Sequence, residues 1–396
     1  MDDLSPDAIA TLRAAWRRKS GNDRIDELTD EQVLADLGLL REGITHGAII
    51  LLGSEDGVRN RLPWAELIFE YRSDESSIRH HERREFRKGF LLCHNDIWEA
   101  INRRNDIEHY QDGLWLLDIP VLNEGVVREA VLNAVSHRDY RRQGPAFVRQ
   151  FPRKLEVVSP GGLPEGVTVD NILYAQIPRN PLLASVLERS GLIERSGQGV
   201  DLMFRDCLRE GKALPDYSRT DEHQVYVRLP GEIHDPSFVR FLEAIDREKQ
   251  IRFTTEDLLI LDLLKREKPV AEPLQERLPR LVDAGVVERR GRRKYILSQE
   301  YYRFVDQRGV YTRVAGLDRE KCRLLLLQHI EQNRDDGSRM RDLMDVVPHL
   351  TRGQVRALLK NLRDDGLIRC VGVTSRARWH PGPEPETDPA CEPMSR

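Results

Sequence analysis

Hydrophobic positions recur every three or four residues through most of the chain, and short alternating runs interrupt them. The helical spacing predicts helices from Pro6 to Arg18, from Thr29 onward, from Phe90 to Asn105, from Asp170 to Ala175 and from Leu182 to Ser190. Thr29 followed three residues later by Gln32 is a capping-box pattern, and Gly38 and Gly43 bracket the end of that helix. Runs rich in β-branched and aromatic residues predict strands over 64–69, 114–119 and 224–229, and a pair over 146–150 and 154–158 joined at Phe151-Pro152-Arg153. Gly47 to Gly53 reads as a short buried helix or strand, and the charged run 79–88 as a solvated loop.

The last third repeats one theme. Helical patterns over 255–265 and 273–284 lead into a basic hairpin over 286–297, turning at Gly291. Helical patterns over 318–332, 340–344 and 351–364, the last with Thr351 as its cap, lead into a second hairpin over 367–372 and 377–380. Both copies share Leu-x-x-x-Gly-[Val/Leu]-[Val/Ile], at Leu281 to Val287 and Leu362 to Ile368. Helices followed by a two-stranded wing describe a winged helix.

Charge sharpens that reading. The whole chain carries a formal −4, but residues 251–380 hold 27 Lys plus Arg against 19 Asp plus Glu, leaving −12 elsewhere. The basic portion is C-terminal, as expected of a partner for double-stranded DNA. Arg280 lies in the first recognition helix, and Arg352, Arg356 and Lys360 in the second. Arg289, Arg290, Arg292, Arg293 and Lys294 on the first wing are placed to neutralise phosphates.

Three other classes fall away. No apolar run reaches eighteen residues, so no membrane span is expected. Met1-Asp2-Asp3 lacks the basic start of a signal peptide. Five scattered cysteines without a C-x-x-C pair speak against a zinc site or a disulfide framework and for a cytoplasmic setting.

The candidate chemistry centres on Arg128 to Tyr140. On a helix, Glu129, Asn133 and His137 share one face at four-residue spacing. Ala130, Val131, Ala134 and Val135 give an apolar side that packs on a sheet. A carboxylate beside an amide suits a phosphate site: the amide oxygen ligates Mg²⁺, and the carboxylate orients or deprotonates a water. Two glycine turns follow, Ser159-Pro160-Gly161-Gly162 after a strand and Gly197-Gln198-Gly199 before a helix. Free N–H groups at such a helix start suit phosphate.

This ordered trio resembles the GHKL (Bergerat-fold) ATPases. Residues 25 to 230 more closely resemble a prokaryotic family labelled putative transcriptional regulator or RecG-related helicase, with a divergent GHKL domain. Glu129 to Tyr140, Ser159 to Pro164, Arg179-Asn180-Pro181 and Gly191 to Gly199 carry the likeness. The resemblance implies an α/β fold, a two-layer α+β GHKL-like sandwich, followed by two small winged helices. It implies ATP and Mg²⁺ as cofactors, with Glu129 as water-activating base and Asn133 as Mg²⁺ ligand. His137 and Ser159 join the nucleotide site, the Gly161-Gly162 turn lies beside the adenine, and Gly197 and Gly199 cradle the phosphates. Residues 163–196 form a lid.

Two departures limit the transfer. Ser159 stands where the superfamily has an adenine-reading Asp, and the second turn is poor in glycine. No G-x-x-x-x-G-K-[ST] occurs, so helicase activity is rejected. The expected organisation is a helical segment 1–45, the nucleotide domain 46–232, winged helices 250–305 and 316–380, and a disordered tail 381–396. The Schlafen-like domain common in the family has no counterpart ahead of it. The expected function is a nucleotide-binding, DNA-binding regulator with slow hydrolysis at most, with homodimerisation open. Two alternatives stand beside it: a DNA-binding regulator with an inactive GHKL-like domain, and a defence or interaction protein whose winged helices bind protein.

Overall fold

The structure is a computed structural model. It describes all residues except 77–78, 113–114, 194–198, 291–293, 305–318, 348–349, 373–376 and 383–396. The chain divides into two compact units, Met1–Leu263 with Val270–Arg277, and Leu264–Pro269 with Leu278–Arg396.

The first unit opens with α1 (Pro6–Ser20), α2 (Asp30–Asp36), α3 (His46–Leu52) and α4 (Glu55–Arg61). Ser5 caps α1, and Gly21 at φ 65° ends it. Thr29 and Gln32 form the capping box that starts α2. The run 47–53 is helical, and α3 buries Gly47 through Leu52. These helices are no separate layer. Leu12 and Leu34 share one core with Leu51, Phe69, Ile97 and Val131.

Then come β1 (Leu67–Tyr71), β2 (Glu82–Phe86), α5 (Phe90–Asn102), β3 (Ile107–Asp112), β4 (Trp115–Pro120), α6 (Glu124–Ser136), β5 (Ala146–Phe151) and β6 (Lys154–Pro160). The unit continues with α7 (Pro181–Arg189), α8 (Gly199–Arg209), β7 (Gln224–Pro230), α9 (Pro236–Lys249), α10 (Thr255–Lys265) and α11 (Glu272–Gln275). Five strands form one sheet in the order β2-β1-β5-β6-β7. β1 and β5 run parallel, and the other neighbours antiparallel. α6 lies on β5, β6 and β7.

Four expectations need correcting. The charged run 79–88 contains the edge strand β2, whose arginines pair with carboxylates such as buried Glu70, 2.8 Å from Arg83. Charge on an edge strand is a common guard against stray pairing, and here it masked the strand. Residues 170–174 are turns: Thr168 and Asn171 bond each other's backbone N–H groups as a capping box does, but the helix does not continue past one turn, where Ala175 N donates to Asn171 O at 3.0 Å. The helix expected over 273–284 is two, since Pro279, with no N–H to give, sits in the first turn of a new one. The strand 64–69 starts later, at Leu67. β3 and α9, not anticipated, pair with β4 and extend the unit past residue 232.

The second unit contains α12 (Leu278–Asp283), β8 (Val287–Arg290), β9 (Lys294–Leu297), α13 (Gln299–Phe304), α14 (Arg319–Gln332), β10 (Ser338–Arg339), α15 (Met340–Val346), α16 (Arg352–Asp364), β11 (Ile368–Val371) and β12 (Arg378–Pro381). β8 and β9 form the basic hairpin. β10, β12 and β11 form a three-stranded sheet. α16 starts at the Thr351–Gln354 capping box and buries Val355, Leu358, Leu359 and Leu362 against Cys322, Leu326 and Ile330 of α14.

Candidate nucleotide site

α6 carries the site and is fixed at both ends. Asn123 accepts from Val126 N at 3.1 Å, closing the N-terminus. A helix leaves its last four carbonyls unpaired, and each of these four finds a donor from elsewhere. His137 N donates to Asn133 O at 3.0 Å, and Ser159 Oγ to Ala134 O at 2.7 Å. Tyr140 Oη donates to Val135 O at 2.9 Å, and Asn180 Nδ2 to Ser136 O at 2.9 Å. Much of the family-like signature thus performs structural work. Arg138 is likewise buried, donating to the carbonyls of Trp64 and Gly144. Arg179 donates to Gly162 O at 2.6 Å and stands 3.7 Å from Asp139.

A cavity of about 120 Å³ opens beside α6. Val157 and Ser159 of β6 face it with Val225 and Val227 of β7, because Val157 pairs with Val227 and Ser159 with Val225. Alternation along a strand puts these side chains on one side. The connection between β6 and α7 lines the cavity with Leu163, Pro164, Val167, Ile172 and Ile177. α6 contributes Glu129, Asn133, Ser136 and His137, and the start of α8 contributes Gly199 and Val200.

Within it, Asn133 Nδ2 donates to Glu129 Oε1 at 3.0 Å. Burial pushes the Glu129 carboxyl up, and that hydrogen bond opposes the rise. Burial, then the Arg179 charge, pushes the His137 imidazole down, so it favours the neutral form. Burial, then the nearby Glu129 charge, raises the Tyr217 phenol.

The structure therefore brings Glu129, Asn133, His137, Ser159 and Gly199 to one cavity. Gly161 and Gly162 are not among its lining residues. Gly161 holds φ 94°, and a Cβ there would stand 2.5 Å from Asp139 Cβ; one on Gly162 would stand 2.6 Å from Asp221 O. Close backbone packing explains both glycines. Gly197 lies outside the described residues. Among the polar lining residues, Ser136, Gln176 and Tyr217 were missed by the sequence reading. Ser136 had a signal, three residues after Asn133 on the same face. Tyr217, in the connection between α8 and β7, had none.

A second cavity, of about 450 Å³, shares Glu129, Ile193 and Gly199 with the first. His94 and Trp98 of α5, Arg128 of α6 and Arg205 of α8 line its other walls.

Residues 145–229 match the family described as putative ATP-dependent DNA helicase RecG C-terminal. Residues 1–68 match a domain of unknown function (DUF8451). Among solved structures, the crystal structure of the DIP2311 protein from Corynebacterium diphtheriae is similar at a TM-score of 0.61. It is 21% identical, and the match covers 96% of this chain and 68% of that one. A search of curated proteins gives no match. The structural likeness establishes a mixed α/β fold, and the first unit holds an ATPase-like segment. That segment brings Ser159, Gly199 and Tyr217 to the cavity; Glu129 and Asn133 precede it. Among the described residues no helix is long and apolar enough to cross a membrane.

Proposed function

We propose that the first unit binds ATP with Mg²⁺ and hydrolyses it slowly, and that the C-terminal elements engage double-stranded DNA as a regulator. One observation carries the nucleotide part: Glu129 and Asn133, hydrogen-bonded to each other, line a sheet-floored cavity together with Gly199 at the start of α8, against which Glu129 packs. The base takes the apolar cavity. The phosphates run past Gly199 into the second cavity, where Arg128 and Arg205 supply positive charge. The Asn133 amide commits its nitrogen to Glu129, so its oxygen is left for a hard cation. Bound magnesium supplies charge neutralisation on the phosphates. Glu129, with the raised affinity for a proton that burial gives it, orients the attacking water and accepts its proton.

The DNA part is supported in the second unit by the order α14, β10, α15, α16, β11, β12, which is that of a winged helix. Arg352, Arg356 and Lys360 are exposed at four-residue intervals on α16, beside its buried stripe. Arg280, Arg289 and Lys294 are exposed, and Arg290 pairs with Glu288 at 2.7 Å. Arg292 and Arg293 lie outside the described residues.

A thermal-shift scan with Mg-ATP and ADP tests the nucleotide part. A ligand selective for the native state at 100 times its Kd adds about 2.7 kcal/mol, so the melting temperature must rise. No rise at millimolar nucleotide favours the second reading, a DNA-binding regulator with an inactive nucleotide domain. The close approach of Glu129 to Gly199, which sets a carboxylate at the start of α8, speaks for that one.

A further inference from the structure

Among the described residues, three hydroxyl-bearing side chains line the cavity beside α6: Ser136, Ser159 and Tyr217. Ser159 Oγ spends its proton on Ala134 O, and Ser136 Oγ is sealed off by the surrounding protein. Tyr217 differs from both. It is 6% exposed, and its ring belongs to the core that holds Cys207 and Val227. A ring packed in this way cannot swing its hydroxyl out to bulk water. The phenol oxygen makes no hydrogen bond among the described residues, yet it is not sealed as Ser136 Oγ is. Burial and the Glu129 charge keep it protonated, so it offers the cavity a donor. Buried donors are normally satisfied, and an unpaired one on a cavity wall takes its acceptor from the occupant.

We infer that Tyr217 donates to a ribose hydroxyl oxygen of the bound nucleotide and so favours ribonucleotides over their deoxy counterparts. This rests on the nucleotide reading above. There the base fills the apolar cavity, and the phosphates leave it past Gly199 toward Arg128 and Arg205. The sugar joins the two and must pass the end of the cavity where Glu129 and Gly199 pack together. Tyr217 lies near Glu129, at that same end. Val200, Val225 and Val227 line the cavity without a polar side-chain atom to replace the phenol. A deoxy sugar brings no acceptor to the position and leaves the donor unpaired, the penalty that a site built for a hydroxyl imposes on an analogue lacking it.

The test is titration calorimetry on the full chain with Mg²⁺, comparing ADP with 2′-deoxy-ADP and 3′-deoxy-ADP. Wild type should bind one of the two deoxy nucleotides about fivefold or more weakly than ADP, the worth of one buried hydrogen bond. Tyr217→Phe keeps the ring and removes only the oxygen, so its ligand-free melting temperature should hold or rise. Its affinity for ADP should fall to that of the weaker deoxy nucleotide, and the discrimination between those two should vanish. Equal wild-type affinities for all three, a discrimination that survives Tyr217→Phe, or a loss in the variant that is the same for all three overturns the inference and leaves nucleotide binding standing. Binding of none of the three overturns the nucleotide reading itself.

Discussion

Gly199 and Glu129 meet so closely that a Cβ on the glycine would stand 1.5 Å from Glu129 Oε1. A side chain at 199 has room only if the carboxylate swings away from Asn133. The displaced group is the end of a flexible side chain, so the fold should tolerate it. Gly199→Ala is expected to lower ATP turnover about tenfold or more and to move the melting temperature by no more than about 4 °C. Turnover and a melt on the same sample decide it; unchanged turnover would mean the observed carboxylate position is irrelevant to hydrolysis.

Glu129→Gln should retain nucleotide binding and lose about 10²–10⁴-fold in turnover, the range for a positioned general base. Its stability signature is separate. The folded carboxyl holds its proton to higher pH than the unfolded one, so ionising it costs stability as pH rises above about 4.5. The variant's melting temperature should gain on wild type from pH 4 upward. A constant difference across pH would contradict the burial argument.

Asp139 behaves oppositely. Hydrogen bonds and charge from Arg141, with Arg179 beyond, hold its carboxyl down at about 2 against an ordinary 3.8. That contribution to stability is complete above about pH 4 and is lost as pH falls through 2. Asp139→Asn should reduce stability at neutral pH and flatten the acid limb of the curve. Parallel acid limbs for the two proteins would count against this.

Asn180, at the start of α7, ties that helix to the end of α6, donating to Ser136 O at 2.9 Å and Arg138 O at 2.8 Å. Asn180→Leu removes both bonds and strands two carbonyls. A loss of about 1–3 kcal/mol in urea unfolding is expected, by the cost of abandoned buried acceptors. A loss below experimental error would show that water replaces the amide.

On the second unit, Arg356→Ala and Lys360→Ala should each weaken duplex DNA binding at all sequences and reduce the log–log salt slope by about 1. Slopes that do not move would point to protein as the partner of α16.

What was legible is local: Glu129 and Asn133 lie four residues apart on α6, His137 caps its end, and all three line one cavity. Ser136 escaped because a serine near a helix end looks like surface, whereas here it is buried. Tyr217 comes from a connection 84 residues after Asn133, and only folding puts it near Glu129. Fold errors had the same source. The strand β2 depends on partners across the sheet, and at 170–174 a helix-like start stops after one turn, which the spacing of apolar residues does not show.

The parallel pairing of β1 with β5 has a practical consequence for anyone wishing to excise the ATPase-like segment. A fragment cut at 145 would begin on a strand robbed of its neighbour, Phe69 no longer beside Val148. It would carry off the floor and roof of the chamber and leave the acid and amide behind. Dissection must therefore start upstream of the first helix, and a graft onto another scaffold would transplant half a lock.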